Sequence, residues 1–220
     1  MFILSYFNVG IVLFIVNFNI GKGSDVLKKY NIPIFQGQFT TFSVQWYRLV
    51  GSTLCFTMLV YIGSTHITNF AFELMYLTLR FWDRKCSCDT KKTRKLIQED
   101  YEDLNTGNRF EIESRYASLL FVLGVTFLYS SGMPILYPIA AAFFFVGYWI
   151  DKMLLLKFYR KPIQYDGHLS KKTLGWHKFI LLMHVLGGTL MYANSSIVPS
   201  RSVWLKKISS FVNTNTDSGW

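Results

Sequence analysis

The sequence predicts an all-α fold: a polytopic transmembrane helix bundle of about six spans. Hydrophobic residues make up 51% of the 220 residues, and aromatic residues make up 18%. Only 16% of the residues are charged, whereas about 25% is usual for a soluble chain. One soluble domain of this length cannot bury so many apolar rings, which favours an integral membrane protein.

The remaining composition excludes several other classes. The apolar content excludes a disordered chain, and a total of three cysteines excludes a disulfide-stapled secreted module. The net charge of +10 does not indicate a nucleic-acid partner, because the basic residues lie between apolar runs rather than along one face.

The spans are predicted from apolar stretches long enough for a bilayer core of about 30 Å, which needs roughly 20 apolar residues per helix. They lie near residues 1–18, 46–63, 66–82, 115–131, 135–158 and 176–194. We expect residues 1–196 to form the transmembrane domain, with a charged, water-facing loop at 83–111 and a polar tail at 197–220.

The first three spans rest on local signals. The first stretch resembles a signal peptide, but Lys22 follows its apolar run instead of preceding it, which favours a span. Pro33 argues against a continuous helix between the first two spans. A polar break at Ser64–Thr65 separates the second span from the third. The third carries Glu73 and Arg80, so a re-entrant or interfacial helix stays an alternative.

The fourth and fifth spans form a predicted hairpin with its turn at residues 130–134. Pro134 stands where a helix begins, a first-turn position that needs no amide donor. A polar stretch at 160–172 then leads to the last span.

The distribution of basic residues predicts the topology, because Lys and Arg in short loops mark the cytoplasmic or matrix side. The clusters lie at residues 22–29, 84–95 and 157–172, and the turns between them carry no charge. With six spans, every cluster falls on one side and both termini lie outside. Arg201, Lys206 and Lys207 in the tail are the exception.

Several fragments occur in an order typical of one superfamily. They are FNVGIVLF, WYRLVGSTL, FWDR, KKTRKLIQEDYEDLNTG, FEIESRYA, YSSGMPILYP, GYWIDK and FYRKP. The chain resembles the membrane half of large transmembrane proteins common in ciliates. Those proteins are in turn similar to anoctamins, transmembrane channel-like proteins and OSCA-type stress-gated cation channels. The resemblance covers residues 7–194.

The resemblance implies a helical bundle that lines an ion pore, or a membrane-open groove along which lipid head groups slide. It also implies dimers in two of the branches. Full members have more spans and sizeable cytosolic domains, so we expect the chain to be either a fragment or a shortened relative.

The resemblance also points to one set of positions at which anoctamins bind calcium through carboxylates. Aligning Pro134 with the proline that ends the equivalent helix places these positions at Arg115, Ser118, Gly147 and Asp151. Only Asp151 is a carboxylate, whereas calcium needs six to eight oxygen ligands. Calcium gating through this site is therefore not expected.

Four residues are candidates for a pore or groove: Glu73, Asn8, Asn17 and Asp151. Charged residues inside spans are costly and usually face a path or a partner. Glu73 would attract cations, unless its helix is interfacial and the side chain faces water. Asp151 is expected first to pair with Arg115 and only second to line a pore. The two asparagines are expected first as hydrogen-bonding links between helices.

Four glycines are predicted to serve helix packing: Gly124, Gly147, Gly187 and Gly188. Small residues let membrane helices approach closely where the hydrophobic effect cannot draw them together. His184 in the last span is expected to hydrogen-bond a neighbouring helix rather than to bind a ligand.

The sequence contains no nucleophile–base constellation, no phosphate-binding glycine loop and no zinc-protease motif, so we predict neither an enzyme nor a cofactor. Cys86 and Cys88 lack the usual zinc-ligand spacing, and no metal site is predicted.

Two functional hypotheses follow. The first is passage of cations or lipid along a helix-lined path in the plasma or ciliary membrane. The second is a non-catalytic structural subunit of a larger membrane complex, and a composition typical of AT-rich genomes would favour the mitochondrial inner membrane. In both cases membrane lipids are partners, and the chain is expected to join an oligomer or a larger assembly.

Overall fold

The computed structural model describes residues 2–19, 27, 29–30, 34–87, 92–107, 109–160, 167–193 and 210. Within these ranges the chain is mainly helical, and its extended contacts are two isolated bridges, Phe18 with Phe39 and Asn19 with Gln36. The helices are α1 (Phe2–Asn17), α2 (Val44–Asp83), α3 (Gln98–Asn105), α4 (Ile112–Tyr129), α5 (Leu136–Lys157) and α6 (His168–Tyr192). Both α1 and α2 contain a short π-helical stretch, at Phe7–Val12 and Tyr47–Gly51. Apart from Ser210, the predicted polar tail lies outside the described residues.

Three helices, α2, α4 and α5, are long and apolar enough to cross a membrane. The apolar helix α1 is shorter, and α6 carries three lysines in its first half. Large apolar side chains face outward from the bundle, among them Phe56, Phe145 and Leu182, each more than half exposed. A surface of this kind suits contact with lipid rather than water. The prediction of an all-α helical membrane bundle is confirmed.

Helix α2 corrects one prediction, because it runs without interruption through Ser64 and Thr65. The Ser64 hydroxyl donates to the Tyr61 carbonyl at 3.3 Å, and the Asn69 side chain donates to the Thr65 carbonyl at 2.7 Å. Because the Ser64 hydroxyl and the Asn69 amide are satisfied within the helix, they need no turn. The prediction that 46–63 and 66–82 are separate spans joined by a break is therefore wrong.

The continuity of α2 also affects the topology argument. Its 40 residues extend over roughly 60 Å, about twice the thickness of a bilayer core. The placement of every basic cluster on one side required a reversal at Ser64–Thr65, so that argument no longer holds. The membrane side of each terminus stays a prediction.

Helices α4 and α5 form an antiparallel hairpin whose bounds lie within three residues of the predicted spans. Helix α6 packs on α4, where the His184 Nδ1 lies 2.6 Å from the Phe127 carbonyl oxygen. Helix α1 also packs on α4, where the Tyr129 hydroxyl donates to the Gly10 carbonyl at 2.6 Å. Helix α2 packs mainly on α5.

The two ends of the bundle differ in composition. At the hairpin turn, aromatic rings form the core, and the Trp46 and Tyr129 ring centroids lie 6.2 Å apart. Phe42 packs edge-on against Trp46 at 4.7 Å. At the opposite end the short helix α3 is attached to α2, because the Arg80 Nε donates to the Leu104 carbonyl at 2.7 Å. The charged side chains of the bundle gather near this second end.

Candidate functional site

The candidate site is a cavity of about 580 Å³ between α2, α4 and α5, close to the charged end of the bundle. Its walls are mainly apolar, with Leu119, Phe143 and Phe144 among them. Its polar lining residues are Thr65, His66, Arg115, Ser118, Asp151 and Lys152. The cavity is partly open, so a ligand can enter it.

An ion pair joins two walls of the cavity. The Arg115 Nη1 on α4 lies 3.0 Å from the Asp151 Oδ1 on α5. The α4–α5 hairpin brings them together, because Arg115 is near the start of α4 and Asp151 is near the end of α5. The pairing predicted for these residues is thus present, and it links two helices at their charged end.

Arg115 has further contacts that fix its position. Its guanidinium lies over the Phe110 ring at 5.7 Å, and its Nη2 donates to the Tyr159 hydroxyl at 3.5 Å. Burial raises the pKa of Tyr159, and the charge on Arg115 opposes that shift in part. The phenol therefore stays protonated at neutral pH, as an acceptor for Arg115.

His66 enters the cavity from α2 and is only 4% exposed. Its ring packs on Phe143, with centroids 4.9 Å apart. Neither ring nitrogen forms a hydrogen bond of standard geometry with a described residue. The imidazole has only a weak contact with the Phe143 backbone. A Cβ atom on Gly147 would lie 2.9 Å from the imidazole Cε1, so α5 needs a glycine here for the ring to fit.

Lys152 lines the cavity and is itself exposed, so it forms part of the cavity rim. Its ammonium nitrogen lies 5.6 Å from the Tyr148 ring and 5.4 Å from the Trp149 ring. Both rings are more than half exposed. Exposed Tyr and Trp are typical of the level at which helices meet lipid head groups. The cavity rim therefore fits the interfacial layer of a membrane.

The predicted pore candidates are not brought together here. Asp151 lines the cavity, but Glu73, Asn8 and Asn17 do not line this cavity or the two smaller ones beside α4. Glu73 is 2% exposed on α2, Asn8 is exposed on α1, and the Asn17 amide donates to its own helix at the Leu13 carbonyl. A pore or groove role for these residues stays a prediction.

The positions that the resemblance aligns with calcium ligands do meet, since Arg115, Ser118, Gly147 and Asp151 all line this cavity. Their chemistry does not fit calcium, because the single carboxylate already contacts a guanidinium. Within the described part of the chain, no group of three or more His, Cys, Asp or Glu could hold a metal ion. Of the two loop cysteines, Cys86 is exposed and Cys88 lies outside the described residues.

The predicted packing glycines lie where helices approach closely. A Cβ on Gly187 would lie 2.5 Å from the Leu128 carbonyl oxygen, and one on Gly188 would lie 2.9 Å from the Ser131 hydroxyl. A Cβ on Gly124 would meet the Tyr6 ring at 2.8 Å. These glycines let α6 and α1 pack closely on α4 and its turn.

Sequence reasoning missed His66 and Lys152 as site residues. A signal for His66 was present, because it follows a buried apolar stripe on α2 whose members are Trp46, Val50, Leu54 and Met58. A histidine that continues such a stripe faces the same interior as the apolar residues. Lys152 also had a signal, because it follows Tyr148 by four residues and Trp149 by three on the same helix, so their side chains are neighbours.

A bundle of apolar helices that are long enough to cross a bilayer defines the class of the molecule: an integral membrane protein. Within that class, residues 43–191 match the family described as "Calcium-dependent channel, 7TM region". Because the match covers more than half of the chain, the protein belongs to this family. No curated protein and no solved structure matches the chain significantly.

Proposed function

We propose that the chain forms the membrane part of a channel-family protein that passes cations or lipid along its helices. The single observation that carries this proposal is the gathering of ionisable side chains, Arg115, Asp151 and His66, in one partly open cavity between three apolar helices. Ionisable groups inside membrane helices are costly and mark ion or substrate paths. The channel family supports the same assignment.

The ion pair suggests how the path differs from one controlled by calcium. The Arg115 guanidinium supplies a permanent positive charge against Asp151, so α4 and α5 are held together without a bound metal ion. We therefore expect opening to be independent of calcium at this cavity. Glu73, Asn8 and Asn17 stay part of the proposal as path-lining residues, with the plasma or ciliary membrane as location.

Flux through proteoliposomes tests the proposal. The intact chain is reconstituted, and potassium efflux and the exchange of a labelled lipid between leaflets are measured with and without calcium. We expect one of the two fluxes above that of empty liposomes, unchanged by calcium. Asp151→Asn should alter that flux severalfold, because it weakens the contact with Arg115.

The matched control is Asp103→Asn, because Asp103 is exposed on α3 and contacts Arg160, and neither residue lines the cavity. This control should leave the flux unchanged. Glu73→Ala tests the separate prediction for that residue. An intact chain without either flux would reject passage by this chain alone.

A second candidate function is a structural subunit of a larger membrane complex. The observation in its favour is the run of exposed apolar side chains on the last third of α2: Phe72, Leu74, Phe81 and Trp82. Another chain could cover that surface. Absence of flux together with stable co-purification of a partner would favour this function.

A further inference from the structure

We propose that the cavity between α2, α4 and α5 is a binding site for an anionic phospholipid, with the phosphate at Lys152 and an acyl chain against Phe143 and Phe144. The lipid is a resident ligand held at equilibrium, distinct from any lipid that the protein passes. The inference therefore goes beyond the proposed function.

The charge at the rim favours an anionic head group. The negative charge of Asp151 offsets the positive charge of Arg115, which lies 3.0 Å away. Lys152 has no carboxylate within 4 Å among the residues that the structure describes. Its ammonium is held beside Tyr148 and Trp149, so the rim carries one positive charge in a defined place. A lipid phosphate is the anion available at that level of a membrane.

The shape of the cavity favours a lipid over a soluble phosphate. Phe144 and Lys152 are eight residues apart on α5, which separates them by roughly 12 Å along the helix axis. The cavity thus has its exposed charge, Lys152, about two helical turns from an apolar wall formed by Phe143 and Phe144. An acyl chain fits the interior, whereas a small hydrophilic anion would leave these walls uncovered.

His66 provides an independent indication that the cavity binds a ligand. Its side chain is more than nine-tenths buried, lines the cavity and lacks a hydrogen bond of standard geometry with any described residue. Buried polar groups are normally satisfied, so a donor or acceptor from a ligand is expected here. The ester or glycerol oxygens of a phospholipid supply acceptors just below the phosphate.

Native mass spectrometry of the intact chain tests the site. The chain is mixed in micelles with equal amounts of phosphatidylglycerol and phosphatidylcholine, and the bound mass of each is measured. The unmodified chain should prefer phosphatidylglycerol about fivefold, the effect expected for one lysine near an anionic surface. Lys152→Gln should abolish this preference, and Lys172→Gln, which changes an exposed lysine at the start of α6, should leave it intact.

Two further measurements test where the lipid binds and whether its acyl chain is needed. Ser118→Phe should reduce the binding of both lipids by filling the cavity, with folding verified by circular dichroism. Excess glycerol phosphate should not displace the bound lipid.

The proposal is overturned if Lys152→Gln keeps the preference, if Ser118→Phe folds and binds as before, or if glycerol phosphate displaces the lipid. Because bound mass is measured, these results do not depend on whether the chain passes ions or lipids.

Discussion

The two halves of α2 bury side chains of different chemistry. In the first half the buried side chains recur every four residues, and in the second half they are seven residues apart. They are Trp46, Val50, Leu54 and Met58, followed by His66 and Glu73. A step of four residues turns by about 40° around an α-helix, and a step of seven turns by about 20° in the opposite sense, so the buried stripe winds gradually along α2. It contributes to an apolar core near the hairpin turn and to an ionisable cluster at the charged end.

The difference shows how a membrane bundle separates stability from chemistry. Near the turn, α2 contacts aromatic and aliphatic residues that need only close packing. At the other end, the buried side of α2 meets α5 where Asp151 and Gly147 replace apolar side chains. The apolar packing of the first half holds the helices together. The second half can therefore bury ionisable side chains, which stabilise the bundle less than apolar ones would.

The largest expected effect tests the apolar half. Leu54→Ala should lower the free energy of unfolding by about 3 kcal/mol, because it removes buried contacts and leaves a cavity. Leu54 is 0% exposed, whereas Leu59 on the same helix is 51% exposed. Leu59→Ala should therefore change stability by less than about 0.5 kcal/mol. Unfolding is followed by SDS titration in micelles, and equal losses for both variants would contradict the stripe.

A smaller effect is expected from the ion pair at the charged end. Arg115→Ala should cost about 2 kcal/mol, less than the loss of a fully buried partner, because the Asp151 side chain is 30% exposed. Adding Asp151→Ala should recover part of this loss, since the remaining carboxylate no longer lacks its counter-charge. A double-mutant cycle measures the coupling, and strictly additive losses would show that the pair contributes nothing to stability.

The smallest effect distinguishes His66 from His184. His66→Leu should leave stability unchanged or raise it by up to about 1 kcal/mol, because it extends the apolar stripe and removes a weakly satisfied buried ring. His184→Leu should instead cost about 1 kcal/mol, because His184 contacts the Phe127 carbonyl at 2.6 Å. A large loss from His66→Leu in the same titration would indicate that the imidazole has a structural partner.

Local chemistry predicted some features of the molecule well. The α4–α5 hairpin follows from Pro134 and the small polar residues before it, which end one helix and begin the next. The pairing of Arg115 with Asp151 follows from the same hairpin, because it places the start of α4 beside the end of α5. Composition alone was sufficient for the all-α membrane class.

Other features depend on contacts that no local pattern shows. Ser64 and Thr65 suggested a break between two helices. The Ser64 hydroxyl and the Asn69 amide instead donate to carbonyls of their own helix, so these polar residues do not end α2. The cavity requires α2 to lie beside α5, a pairing of helices distant in sequence. Asn8, Asn17 and Glu73 were grouped by polarity, and the structure distributes them over different parts of the bundle.

The length of α2 has a mechanical consequence. From Ser52 to Asp83 the helix extends over about 48 Å, and the π-helical stretch Tyr47–Gly51 lies at its base. A tilt of about 10° at that base would move the far end by roughly 8 Å. Because Arg80 attaches α3 near the far end, a small strain among the aromatic rings at the hairpin turn would appear as a large displacement of the charged segment.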